Sequence, residues 1–254
     1  MSLAKFKRND ERPLVWAHRG AVAYYPENTL MAFEKALQLG ADGIELDVHL
    51  SKDGKIVVIH DEILQRVCDG TGLVRDLTLE ELKALDFSKT RPEAGRFSIP
   101  TLEEVFELVR PAGKTVNIEF KSGIVFYPFL ELKVVKLTEQ MGMKDQVLYS
   151  SFNPLSLLKI RKMDPEAYLG LLHASCLSSS IQYSVKHKIN ALHVSLGNII
   201  STGFFEEAAE AGIDINPWTI NDREQIRKSI DLKVNAMITD YPDKVLDCCY
   251  ESGI

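Results

Sequence analysis

The sequence predicts an α/β fold, a (β/α)8 TIM barrel, from three observations. Apolar, β-branched runs alternate with helical patterns about eight times along the chain, which is typical of parallel strands joined by right-handed crossovers. The length of 254 residues is close to the typical size of such a barrel. No Gly-x-Gly-x-x-Gly pattern follows an early strand. An open doubly wound sheet that binds a dinucleotide is therefore only the second choice.

Strands are predicted where short apolar runs are bounded by turn residues. These runs cover residues 14–17, 44–50, 115–120, 146–151, 168–173, 191–196, 213–220 and 234–239. Helices are predicted between most of them, at residues 29–39, 102–110, 129–141, 154–163, 181–188, 204–211 and 223–230. Two helix starts carry a capping box, because Thr78 and Thr101 each precede a Glu by three residues. Gly40, Gly142 and Gly212 stand where three of the helices are expected to end.

One connection between predicted elements is much longer than the others. About forty residues separate His60 from Thr101, whereas a βα loop usually has about two to six. The segment from about residue 61 to 100 contains turn residues and a short capped helix at 78–85. Since the βα loops of a barrel surround its active site, we expect a single barrel domain over 1–254 whose inserted segment acts as a lid. A plain surface excursion is the alternative.

Composition and charge exclude several classes of function. The chain has 30 Lys and Arg against 36 Asp and Glu, a formal charge of −6 that offers no field for nucleic acid. No apolar run approaches the roughly 18–20 residues of a membrane span, and the charged first dozen positions leave no room for a signal peptide. The four cysteines form no Cys-x-x-Cys pair, which is typical of reduced thiols. We therefore expect a cytoplasmic protein without stable membrane insertion.

Acidic side chains are expected to gather at the ends of two predicted strands. With the strand period of two, Glu45 and Asp47 share one face of the second strand. Glu119 and Lys121 share one face of the next parallel strand by the same rule. Buried carboxylates repel one another unless a cation lies between them, and oxygen ligands favour Mg²⁺, Ca²⁺ or Mn²⁺ over zinc. A structural ion network with Arg19 or Lys121 is an equally open interpretation.

Two histidines favour catalysis over a purely structural network. His18 ends the first predicted strand and His60 ends the run 55–60, so both are expected at the barrel rim near the carboxylates. Because the pKa of a histidine lies near neutrality, a pair of imidazoles can supply a base and an acid at once.

Other polar and aromatic positions near the predicted rim allow two interpretations each. Asn28 or Thr29 is expected to cap the helix that follows, with Asn28 favoured, and Glu27 is expected to orient Arg19 or to contact a ligand. Trp218 is expected to bind a ligand at the barrel mouth, although it could simply fill that space. The aromatic cluster at 126–129 could hold an apolar group or pack in the ordinary way.

A set of short motifs runs in order from about residue 14 to residue 242. They are His18-Arg19-Gly20, Pro26-Glu-Asn-Thr29, Gly40-Ala-Asp-Gly-Ile-Glu-Leu-Asp-Val48, Asp53-Gly54, Val57-Val-Ile-His-Asp61, Leu77-Thr78, Ile99-Pro-Thr-Leu-Glu-Glu104, Asn117-Ile-Glu-Phe-Lys121 and Ile238-Thr-Asp240. This ordered set resembles the glycerophosphodiester phosphodiesterase family over nearly the whole chain. The departures, at Ser51, Phe120 and Val67-Cys68, are mild and touch no ionisable position.

The resemblance implies a barrel with an insertion after the second strand unit and a specific activity. That activity is metal-dependent hydrolysis of glycerophosphodiesters to sn-glycerol 3-phosphate and an alcohol, in which the adjacent glycerol hydroxyl attacks first and water then opens a cyclic phosphate. Its implied residues are His18, His60 and Arg19 for catalysis, Glu45, Asp47 and Glu119 for a divalent cation (Ca²⁺ or Mg²⁺, with Mn²⁺ as a third option), and Lys121, Trp218 and Glu27 for substrate.

Three other functions are kept as alternatives. A lysophospholipase D or a phosphatidylinositol phospholipase C would act on lipids with the same barrel, and a non-catalytic barrel would only bind phosphodiesters. The expected partner is a small-molecule substrate rather than nucleic acid, and a homodimer is left open.

Overall fold

The computed structural model of the chain describes residues 6–8, 12–121, 125–195 and 203–253. Within these ranges, eight parallel strands form one nearly closed barrel: β1 Leu14–His18, β2 Gly43–Leu50, β4 Thr115–Phe120, β5 Val147–Ser151, β6 Tyr168–His173, β7 Ala191–Val194, β8 Asp214–Ile215 and β9 Ala236–Thr239. Each strand pairs with the next in the order β8-β7-β6-β5-β4-β2-β1-β9. Hydrogen bonds from Asn235 N to Ile215 O and from Ile238 N to Pro217 O, at 2.9 and 3.0 Å, join the last two strands. The predicted TIM barrel is therefore confirmed.

Helices connect the strands around the barrel. They are α1 Leu30–Gln38, α3 Leu102–Val109, α4 Leu130–Gln140, α5 Pro154–Met163, α6 Ser178–His187, α7 Gly203–Glu210, α8 Arg223–Asp231 and α9 Pro242–Glu251. The apolar faces of the strands pack against them, as Ile44, Leu46 and Val48 of β2 do in the main core. That packing leaves the alternate residues of each strand inside the barrel, where the acidic side chains lie.

Two element predictions need correction. Of the strand predicted over 213–220, only Asp214–Ile215 is a regular strand, although Trp218 N still donates to Val194 O at 2.9 Å beyond Pro217. Helix α9 was not predicted, although Pro242 at its start is a common first helical residue. Residues 1–5 and 9–11 of the charged N-terminus, and position 196 of the predicted strand 191–196, lie outside the described residues.

A short antiparallel strand, β3 Ile56–Val58, precedes the inserted segment. It pairs with the end of β2, so the chain turns at the rim and comes back toward the carboxylates. Ile59 N donates to Asp47 O at 3.0 Å on this return. His60 therefore reaches the site from an antiparallel hairpin, and it lies beside the carboxylates at the barrel rim, as expected.

The inserted segment folds around a small core that it shares with β3. It contains the short helix α2 Leu79–Ala84 and three 3₁₀ turns, Leu64–Arg66, Val74–Asp76 and Pro92–Ala94. The predicted capping boxes at Thr78 and Thr101 are both present, and they start α2 and α3. An apolar cluster holds these pieces together, formed by Val57, Ile59, Leu64, Val67, Cys68, Val74, Leu82, Phe87 and Ile99.

None of the helices in the described ranges combines the length and the apolar character needed to cross a bilayer.

Candidate active site

A pocket opens at the carboxyl end of the barrel, and most of the predicted site residues line it. Its wall is formed by His18, Arg19, Glu45, His60, Asn117, Glu119, Lys121, Ser150, Phe152, Leu172, Trp218 and Ile238. The two histidines, which are forty-two positions apart in sequence, thus face the same space.

Three carboxylates at this end of the barrel lie close enough together to share one cation. Glu45, Asp47 and Glu119 each offer an oxygen, and the three oxygens lie within 4.8 Å of one another. Strand register explains this, because Asp47 of β2 is the direct partner of Glu119 on β4. All three residues are buried.

Their electrostatics indicate that the cluster lacks positive charge. Burial raises the pKa of Glu45 well above its ordinary value, and the charges of Asp47 and Glu119 add to the effect. Burial and the charge of Asp47 likewise raise the pKa of Glu119 to about 7. For Asp47 burial acts in the same direction, but Lys121 and Arg19 outweigh it and lower its pKa. Burial and mutual repulsion therefore disfavour the charged forms of Glu45 and Glu119, whereas the two basic neighbours favour the charged form of Asp47.

Two basic side chains partly neutralise the carboxylates. Lys121 Nζ lies 2.9 Å from Glu119 Oε1 and 3.6 Å from Asp47 Oδ1, and Arg19 Nε lies 3.5 Å from Asp47 Oδ2. The ion network weighed from the sequence therefore exists. It sets two cations against three carboxylates, and Asp47 Oδ1 is buried without a hydrogen-bond partner within the described part of the chain. The donor set of three oxygens and this unpartnered atom fit a hard divalent cation.

The His60 ring is held at both nitrogens. Its Nδ1 donates to Asp61 Oδ1 at 2.5 Å, and Lys121 Nζ donates to its Nε2 at 3.0 Å. Burial lowers the pKa of His60, and the charges of Arg19 and Lys121 act in the same direction against that of Asp47. The two hydrogen bonds fit the tautomer with its lone pair on Nε2, which is the form that accepts a proton.

A buried histidine of β2 fixes the backbone at His60. His49 Nε2 donates to the carbonyl oxygen of His60 at 3.1 Å, so its Nδ1 accepts the hydrogen bond from the Tyr127 hydroxyl, also at 3.1 Å. Tyr127 thus has a packing role, whereas its neighbours Phe126 and Phe129 are each 70% exposed.

His18 is held by a carboxylate that the sequence analysis did not assign. Its Nδ1 donates to Asp240 Oδ1 at 2.7 Å, and Asn221 Nδ2 donates to Asp240 Oδ2 at 2.6 Å. Burial opposes ionisation of Asp240, but the hydrogen bond from His18 lowers its pKa. The signal for this residue was its position directly after β9, the neighbour of β1 in the barrel.

The turn after β1 orients both the backbone N–H and the side chain of Arg19. Arg19 has a φ of 54° and Gly20 a φ of 87°, and a Cβ on Gly20 would come within 2.7 Å of Ala32 C. Only glycine fits there. In this turn Arg19 N donates to Glu45 Oε2 and Arg19 Nη1 donates to Glu27 Oε1, both at 3.0 Å.

The expectation that Asn28 caps α1 is wrong. Thr29 is the cap, since its hydroxyl oxygen accepts from Ala32 N at 3.2 Å and its backbone is extended. Asn28 instead has a φ of 55°, a conformation that Asn tolerates better than most residues. Its Nδ2 donates to Asp47 Oδ2 at 2.9 Å, so Asn28 belongs to the carboxylate cluster.

Aromatic and aliphatic side chains form the other wall of the pocket. The Trp218 and Phe152 rings meet edge to face with centroids 5.8 Å apart, and Trp218 Nε1 donates to His193 O at 3.0 Å. Leu172 lies beside them. One side of the pocket is thus charged and the other apolar.

Comparison with known proteins agrees with this geometry. The profile described as the Glycerophosphoryl diester phosphodiesterase family matches residues 18–244. A protein of Caldanaerobacter subterraneus subsp. tengcongensis named glycerophosphodiester phosphodiesterase is 42% identical over 243 residues, which span 95% of this chain and 100% of that protein. The structure of an Oleispira antarctica phosphodiesterase, in complex with the product sn-glycerol-3-phosphate, matches with a TM-score of 0.88 and 31% identity, over 98% of this chain and 99% of that one. A putative glycerophosphoryl diester phosphodiesterase from Silicibacter pomeroyi matches with a TM-score of 0.90, over 99% of this chain and 98% of that one, and at 22% identity it bears on the fold alone.

Proposed function

Because the chain belongs to the glycerophosphoryl diester phosphodiesterase family and is a phosphodiesterase, we propose that it hydrolyses glycerophosphodiesters to sn-glycerol 3-phosphate and an alcohol. The observation that best supports this proposal is the meeting of two histidines, an arginine and a buried carboxylate cluster in one pocket. The related enzyme of Oleispira antarctica binds this product. A small water-soluble substrate is also consistent with the cytoplasmic location expected from the sequence.

A divalent cation would be held by Glu45, Asp47 and Glu119. Ca²⁺, Mg²⁺ and Mn²⁺ all suit a set of oxygen donors. When bound, the cation supplies positive charge that stabilises the negative charge of the phosphoryl group. Asn28 would hold Asp47 in place from its other oxygen, since it donates to Asp47 Oδ2 at 2.9 Å.

Arg19 and Lys121 would bind the phosphodiester oxygens. Both cations line the pocket next to the carboxylates. The planar guanidinium of Arg19 can donate two parallel hydrogen bonds to a phosphate, whereas Lys121 contributes a compact charge. Glu27 would keep Arg19 in the binding orientation through the 3.0 Å contact between Oε1 and Nη1.

The two histidines would move the protons of the reaction. One of His18 and His60 accepts the proton of the attacking hydroxyl, and the other donates a proton to the departing alkoxide. Asp240 and Asp61 accept from the Nδ1 atoms of the two rings, which stabilises whichever ring carries the extra proton. A trapped cyclic phosphate would show that the adjacent glycerol hydroxyl attacks first, because direct attack by water forms no such intermediate.

Trp218 and the inserted segment would complete the substrate site. The Trp218–Phe152 pair offers an apolar surface to the carbon atoms of the glycerol or the alcohol. The segment at about 61–100 remains proposed as a lid of the same barrel domain, and its first residue, Asp61, accepts a hydrogen bond from the pocket residue His60.

A product assay tests the proposal. The metal-free protein is incubated with the glycerophospho derivatives of choline, ethanolamine, glycerol and inositol, with Ca²⁺, Mg²⁺ or Mn²⁺ added singly. We expect sn-glycerol 3-phosphate, detected by phosphorus NMR and by a coupled dehydrogenase. A lysophosphatidylcholine arm tests the lysophospholipase D alternative, and a phosphatidylinositol arm tests the phospholipase C alternative. No release from any substrate with any cation would contradict the proposal.

A further inference from the structure

Arg66 connects the inserted segment to two loops of the pocket. It ends the 3₁₀ turn Leu64–Arg66, and its guanidinium uses three nitrogens. Nη1 and Nη2 donate to the two carboxylate oxygens of Glu27 at 2.6 and 2.8 Å, and Nε donates to Asp61 Oδ2. One side chain thus bridges the loop after β1 and the segment after β3.

Each of these carboxylates also holds a pocket residue. Glu27 Oε1 accepts from Arg19 Nη1 at 3.0 Å, and Asp61 Oδ1 accepts from His60 Nδ1 at 2.5 Å. Glu27 therefore links Arg66 to Arg19, which would bind phosphate. Asp61 links Arg66 to His60, which would carry a proton. The bonds form one continuous chain from Arg19 to His60.

We propose that Arg66 is a positioning residue that sets the orientation of Arg19 through Glu27 and of His60 through Asp61. This inference rests on the proposed function. Through these hydrogen bonds, a residue of the insertion orients two side chains of the barrel's pocket. Without the guanidinium, Glu27 keeps only Arg19 among these partners, and Asp61 keeps only His60, so both carboxylates are free to rotate and to take those groups with them.

The contact pattern requires arginine rather than positive charge alone. A guanidinium is a rigid plane with five donors, so it can face Glu27 with one edge while Nε faces Asp61. A lysine has one compact ammonium on a flexible stem and cannot hold both carboxylates in this arrangement. The conservative variant R66K therefore separates charge from geometry.

Steady-state kinetics with a double-mutant cycle test the inference. We expect R66Q to lower kcat through His60 and to raise KM through Arg19, each by about 10-fold to 100-fold, the usual cost of losing a residue that orients a site. The kcat loss is expected to disappear in a D61N background, and the KM rise in an E27Q background, because the residue through which Arg66 acts is already impaired. Additive losses in both backgrounds would overturn the inference.

Two comparison variants sharpen the result. R75Q removes an exposed arginine of the same insertion, whose Nε lies 3.8 Å from its neighbour Asp76, and it is expected to leave kcat and KM unchanged. R66K is expected to keep most of the deficit of R66Q. Full recovery in R66K would mean that only charge matters, and kinetics of R66Q equal to those of R75Q would mean that Arg66 has no positioning role.

A measurement without substrate separates this inference from the proposed function. The Nδ1 proton of His60, hydrogen-bonded to Asp61, is followed by proton NMR and assigned by its absence in H60A. We expect the resonance in the wild-type protein and in R75Q, and its shift or loss in R66Q. An unchanged resonance in R66Q would overturn the inference even if the wild-type protein turned over no glycerophosphodiester, which in turn would contradict only the proposed function.

Discussion

Asp47 and Glu119 are direct partners across two parallel strands, and both are buried at the carboxyl end of the barrel. The insertion separates β2 from β4 along the chain but not within the sheet, where the two strands are neighbours. Buried carboxylates in register remain ionised at low energetic cost only beside cations, and Lys121 and Arg19 are two cations against the three carboxylates of the cluster. This pairing is therefore the physical basis of the proposed metal site.

The first prediction concerns a ligand of that site. E119Q keeps the shape of the side chain but removes its charge, so we expect divalent-cation affinity and kcat/KM each to fall by more than about 100-fold. That expectation follows because residues that merely orient metal ligands already contribute about 10-fold to 100-fold. Isothermal titration calorimetry and steady-state kinetics measure the two quantities. E107Q, at an exposed position of α3, is the matched control, and equal affinities in the two variants would contradict the assignment.

The second prediction concerns pH and stability without metal. Burial and the charge of Asp47 raise the folded-state pKa of Glu119 from 4.5 to about 7. A raised folded-state pKa contributes stability that is fully present below the unfolded value and is lost as pH rises through the folded value. The Tm of the metal-free wild-type protein should therefore fall relative to that of E119Q between about pH 5 and about pH 8.

Calorimetric scans of both proteins across this range, with and without cation, check the sign. The cation should raise the wild-type Tm more at the alkaline end, where it does not compete with protons on Glu119. A difference in Tm between wild type and E119Q that stays constant with pH would contradict the prediction.

The third prediction concerns the two histidines. H18A and H60A should each lower kcat by about 10²-fold to 10⁴-fold, since each removes a proton-transfer group. Both variants should still bind the cation, because neither imidazole belongs to the carboxylate cluster. Single-turnover kinetics and calorimetry provide the two readouts. H187N on the outer helix α6 is the control, and near-normal turnover in both alanine variants would end the proposed mechanism.

The fourth prediction separates two neighbours in sequence. T29A removes a helix cap, so it should lower the free energy of unfolding by about 0.5–2 kcal/mol while leaving kcat unchanged. N28A removes the hydrogen bond to Asp47, so it should lower cation affinity by about 10-fold or more. Chemical denaturation and calorimetry distinguish the two effects. A loss of cation affinity in T29A but not in N28A would reverse the assignment made from the structure.

The barrel and the grouping of its acidic residues could be predicted from the sequence because both follow from strand periodicity. A period of two puts Glu45 and Asp47 on one face, and the alternation of strands with helices puts β2 beside β4. What periodicity does not determine is the path of the chain between elements. The position of His60 near the carboxylates was expected from the sequence, but not the antiparallel β3 that brings the chain back to the level of Asp47.

The residues that orient the site were harder to predict for a related reason. Asp240 lies 222 positions from His18, and Arg66 lies 39 positions from Glu27, so strand and helix periodicity does not reveal either pairing. Asn28 was favoured over Thr29 because Asn is a common helix cap, and only the backbone shows that Thr29 is the cap while Asn28 is left-handed.

The central claim is that the carboxylate cluster holds a cation that the hydrolysis of a glycerophosphodiester requires. The most direct measurement is to titrate the metal-free protein with Ca²⁺, Mg²⁺ or Mn²⁺ and to record bound cation and released sn-glycerol 3-phosphate in the same samples. We predict that product formation rises in proportion to bound cation in the wild-type protein, and that H60A binds the cation without releasing product. Product release by the wild-type protein that does not depend on the cation and is retained in E119Q would contradict the account.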